Sequence, residues 1–84
     1  MEPSARWLSK IRKGRLVISA SHEDYPAILA EALDHLVAAS GDMRPVAEAL
    51  QVTPTQLAKL FRREPAAWQR LATLRAEHGR PPLK

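Results

Sequence analysis

Arg12, Lys13 and Arg15 in "RKGR", and Thr55, Gln56, Lys59, Arg62 and Arg63 in "TQLAKLFRR", have types and spacings that fit one chemistry, contact with phosphates. Clustered cations beside flexible backbone can follow a phosphate chain without a fixed geometry. Short polar side chains such as Thr55 and Gln56 suit the groove or loop next to it. Lys59 to Arg63 covers one turn of a helix, so these charges can line a track instead of pairing with one another. The plainer alternatives are a solvated helix face for the second cluster and a solubilising linker for the first.

Catalytic chemistries find little support. His22, His35 and His78 are the only histidines, and there is no cysteine. A zinc site needs three or four convergent ligands, which His35 with Glu31 and Asp34 does not provide. His22, Glu23 and Asp24 read as capping groups before a helix, and no metal or other cofactor is expected. Ser9, Ser19, Ser21 and Ser40 lack the context of an activated nucleophile. Gly14, Gly41 and Gly79 are each placed as breaks and form no phosphate-cradling loop. The expected protein is not an enzyme and has no small-molecule substrate.

Charge distribution favours an anionic partner. The 84 residues carry +4 at neutral pH, with a pI near 10.1. Residues 1–15 hold five cations and one carboxylate, residues 16–41 four carboxylates and no Lys or Arg, and residues 42–84 eight cations and four carboxylates. A polyanion would meet the two ends of the chain and avoid its middle. No apolar run approaches the roughly 20 residues that span a bilayer, and no signal-type segment follows the start. A cytoplasmic location without a membrane partner is the expectation.

The elements that must position these residues follow from periodicity and punctuation. The pattern predicts an all-α domain of four to five helices, near residues 3–12, 26–39, 42–50, 54–63 and 65–78, with no real sheet. Residues 1–24 read as a basic N-terminal helix and extended arm, in which "RLVIS" lies along the domain. Residues 25–84 read as the helical domain. Ile28, Leu29, Ala32, Leu33, Leu36 and Val37 give the longest helix one apolar face, which Gly41 closes in a left-handed conformation. Asp42 can cap the next helix, and Thr53, Pro54 and Gln56 have the spacing of a capping box on the one after.

Residues 42–63 thus form a helix-turn-helix-like pair. Ala47 allows close approach, Val52 fills the turn and Gln51 takes the positive φ. Leu57, Leu60 and Phe61 face inward, which leaves Thr55, Gln56, Lys59, Arg62 and Arg63 outside. The predicted core adds Val46, Leu50, Trp68 and Leu71 to Ile28, Leu29, Leu33 and Leu36. Trp7 anchors the first helix or, lying between Arg6 and Lys10, stacks on an exposed base; anchoring is the favoured reading.

The stretches "RKGR", "HEDYPAILAEALD", "VTPTQL" and "RAEHGRPPL" resemble the C-terminal extension of some bacterial peptide-chain release-factor-like proteins, over about residues 6–84. In that family peptide release belongs to a Gly-Gly-Gln loop in a separate domain. No Gly-Gly-Gln occurs here, so the activity does not carry over. The resemblance implies a non-catalytic accessory domain of a ribosome-directed protein, meeting RNA or ribosomal protein. Residues 42–62 taken alone suggest instead a DNA-binding regulator, and the Ala-rich helices a protein–protein module.

Overall fold

A computed structural model describes residues 1–84. Five helices hold 56% of the chain, which fits the mainly helical expectation, and a small two-stranded sheet corrects the expectation of none. In chain order the elements are α1 (Ala5–Leu8), β1 (Ile11–Arg12), β2 (Arg15–Leu16), α2 (Tyr25–Ala38), α3 (Met43–Ala49), α4 (Pro54–Arg62) and α5 (Pro65–Glu77). The strands pair antiparallel, with Ile11 opposite Leu16 and Arg12 opposite Arg15. Lys13 and Gly14 both have positive φ, 52° and 74°, as a two-residue hairpin turn of the primed type requires. The chain expected to continue the first helix to residue 12 therefore leaves it after Leu8 and provides the missing partner for "RL".

Helix α2 packs against α3, α4 and α5. Tyr25, Ile28, Ala32, His35 and Leu36 recur at helical spacing and are buried. Leu29 and Leu33 are only half-buried, and Val37 is 48% exposed, because the neighbouring helices cover a narrower strip than the apolar face offers. Trp68 is half-buried too, whereas Val46, Leu50, Leu57, Leu60, Phe61 and Leu71 are buried as expected. The same core takes in Trp7 and Ile18 from the N-terminal segment. The Trp7 indole N–H donates to the Leu50 carbonyl at 2.8 Å, so it anchors α1 on the end of α3. A base cannot stack on a ring with no exposed surface.

Three helices end in the same way. After α2, Gly41 N–H bonds to Leu36 O and Ser40 N–H to Val37 O; after α3, Val52 N–H bonds to Ala47 O and Gln51 N–H to Glu48 O. After α5, Arg80 N–H bonds to Arg75 O and Gly79 N–H to Ala76 O. Each is a paired 6→1 and 5→2 closure, which needs a left-handed residue just past the cap. Ser40, Gln51 and Gly79 occupy that position, with φ of 55°, 61° and 70°. Gly41 therefore sits one place beyond the closing position expected for it. It is left-handed as expected, with φ of 80°, and a Cβ there would also lie 3.0 Å from Arg75 Cγ.

Candidate nucleic-acid interface

Helix α4 is fixed from its start. The Thr53 hydroxyl accepts from Gln56 N–H at 3.1 Å, and Pro54 takes the first turn. Leu57, Ala58, Leu60 and Phe61 are buried, which leaves Thr55, Gln56, Lys59, Arg62 and Arg63 on the remaining arc. Gln56 does not complete the expected capping box. Its side-chain oxygen instead accepts the Leu16 N–H of β2 at 3.3 Å. At the other end of the helix an Arg63 guanidinium nitrogen donates to the Ile18 carbonyl. The hairpin and its outgoing strand are thus held alongside α4 at two points.

This docking brings cations from distant sequence together. Arg15, Gln56, Lys59 and Arg63, with Leu16, Ile18 and Leu60, line a cleft of about 150 Å³ between β2 and α4. A shallower concavity adjoins it, lined by residues 15–20 and Arg63. Neither contains a carboxylate. At the hairpin tip Arg12 and Arg15 are directly opposed and Lys13 is exposed in the turn. Like charges placed opposite each other across a strand pair repel, and neither arginine has a carboxylate partner there. The Arg12 guanidinium is braced on the Ser9 carbonyl at 2.6 Å and the Ile11 carbonyl at 3.2 Å.

Not every candidate belongs to this cleft. Arg62 lies over the Trp68 ring, 4.9 Å from its centroid, and so turns towards α5. Thr55 is exposed in the first turn of α4 and lines neither concavity. Sequence reasoning missed the contribution of Leu16 and Ile18, whose backbone N–H and C=O orient Gln56 and Arg63. Leu16, Val17 and Ile18 are all apolar, so the sequence has β-propensity there but no alternation to mark which side chains dock.

The carboxylates of the acidic middle are kept elsewhere. Asp24 binds Lys10 at 2.8 Å, and that hydrogen bond holds its carboxyl below the usual aspartate range. The only other ion pair joins Arg80 and Asp42 at 3.9 Å, so Arg12, Lys13, Arg15, Lys59, Arg62 and Arg63 are all without carboxylate partners. Asp42 starts α3 but makes no side-chain cap bond. His22 Nδ1 accepts Asp24 N–H at 2.9 Å within the loop before α2, and no group of three His, Asp or Glu side chains converges. No helix is long and apolar enough to cross a membrane. Neither a family model, nor a curated protein, nor a solved structure matches the chain.

Proposed function

We propose that the protein is a non-catalytic nucleic-acid-binding module, and that RNA, free or in the ribosome, is its partner. The observation that carries this is the carboxylate-free cleft lined by Arg15, Lys59 and Arg63, with Arg12, which lines neither concavity, opposite Arg15 in the same hairpin. Unneutralised cations on one side of a small domain create a local positive potential that attracts and orients a polyanion. The tip and the cleft together offer five charges, a phosphate-binding footprint. The resemblance to release-factor-like proteins agrees with this and suggests an accessory role in translation, in the cytoplasm.

A second reading, a DNA-binding helix-turn-helix, rests on α3, the Gln51-centred turn and α4. A recognition helix must enter the major groove with its outer face free. Here the hairpin lies alongside that face and engages Gln56 and Arg63, while Arg62 stacks on Trp68. Thr55 and Lys59 alone remain to read base edges, which favours backbone contact over sequence reading. Titrating structured RNA, ribosomes and duplex DNA between about 50 and 200 mM salt tests the two readings. RNA or ribosome binding tighter than DNA binding at every salt is the expected result. Tighter, sequence-dependent DNA binding would replace it with the second reading.

A further inference from the structure

The basic edge has cations but no free ring. Trp7 and Phe61 have no exposed surface, and Tyr25 has 5%. Trp68 is half-buried, lies under Arg62 and lines neither concavity of the basic edge. Neither His22 nor His78 lines them. Proteins that hold unstacked strands gain much of their affinity from bases stacked on aromatic side chains, roughly five- to 150-fold per base. That source is missing from this edge.

What the edge offers instead is charge on a braced backbone, with the Arg12 and Arg63 guanidinium groups themselves held by carbonyls. The hairpin tip is set by two residues with positive φ, Lys13 and Gly14. The Leu16 N–H is held by Gln56 and the Ile18 carbonyl by Arg63, and Arg12 is braced on Ser9 O. Cations held in place gain most from phosphates that are also held in place, because neither side loses much freedom on binding. A flexible strand would have to be ordered on this edge with no stacking to offset that loss. A base-paired helix arrives already ordered.

We infer that the RNA bound by this edge is base-paired, and that it is recognised through its backbone and shape without insertion of bases. The inference rests on the reading of the protein as an RNA-binding module and specifies what kind of RNA that is.

The test compares two labelled RNAs binding to the full chain at the same salt. One is a stem of about 16 base pairs closed by a short loop; the other is an oligouridine strand with the same number of phosphates. The readouts are affinity and the intrinsic tryptophan fluorescence of Trp7 and Trp68. The stem should bind at least about tenfold tighter, the equivalent of one stacked base that the strand fails to gain. Tryptophan emission should change little with either RNA. Equal or tighter binding of the strand, or strong quenching that accompanies strand binding, overturns this inference while leaving RNA binding in place. If neither RNA binds, the inference falls together with the reading beneath it.

Discussion

The arginines at the two ends of the chain do different work. Near the C-terminus Arg75 is only 8% exposed and has no carboxylate beside it. It donates to the Gly41 carbonyl at 2.7 Å and to the Pro81 carbonyl at 2.9 and 3.3 Å. Arg80 donates to the Ser40 carbonyl at 2.8 Å. Both close the tail onto the residues that end α2, where the helix dipole leaves negative potential. In the hairpin Arg12 and Arg15 are exposed, opposed to one another and directed at no carboxylate. A net charge therefore says little by itself. The C-terminal arginines tie distant parts of the fold together, whereas in the hairpin Arg12 leans only on carbonyls of its own neighbours and Arg15 makes no side-chain bond.

Removing a buried C-terminal arginine should have the largest effect. Arg75→Met should leave the Gly41 and Pro81 carbonyls without their donors, costing about 3 kcal/mol. For a domain of this size that lowers Tm by roughly 15 °C. Below the transition, RNA affinity should match the parent. Thermal unfolding followed by circular dichroism, with binding measured at low temperature, checks both halves. A variant that keeps its Tm would remove Arg75 from the structural class.

A smaller effect is expected in the core. The Tyr25 hydroxyl donates to the Leu60 carbonyl at 2.7 Å, and burial pushes its pKa up from 10.0. A tyrosine held neutral in the fold contributes stability that is fully present below the unfolded-state pKa. It is lost as pH rises from there through the raised folded value. The protein should therefore lose stability above about pH 10. Tyr25→Phe should cost about 1 kcal/mol at neutral pH and flatten that alkaline decline. Denaturant unfolding across the alkaline range measures it, and an undiminished decline would assign the pH response to another group.

The legible parts of the molecule were those set by local chemistry. Thr53 and Pro54 start α4 as their types dictate, and the apolar spacing of Leu57, Leu60 and Phe61 gives its inner face. Gln51 takes the positive φ that a short connection demands. The hairpin was hidden because its strands have two residues each and its turn is Lys-Gly, a weaker signal than Asn-Gly or Asp-Gly. Gln56 reads as a capping residue because its spacing from Thr53 is right. Its actual partner, Leu16 N–H, lies 40 residues away and is fixed only by tertiary packing. Arg63 and Ile18 are 45 residues apart and were unreadable for the same reason. The sequence allowed the two cation clusters to be expected on one surface, but not the cleft between β2 and α4 that brings Arg15 to Lys59 and Arg63, nor that Arg62 turns to Trp68.

Two variants of equal charge separate the hairpin and α4 from the rest of the surface. One replaces Arg12, Arg15 and Lys59 with Ala; the other replaces Arg44, Arg70 and Lys84, which are exposed and line neither concavity. Both remove three positive charges and should remain as stable as the parent to within about 0.5 kcal/mol. RNA affinity is measured for each across a salt series. The hairpin and α4 variant should reduce the magnitude of the salt slope by about 2 to 3, roughly 0.7–0.9 for each phosphate no longer neutralised, and the other should leave it nearly unchanged. Equal reductions in the two variants, or none in either, would contradict an RNA-binding surface at the hairpin and α4.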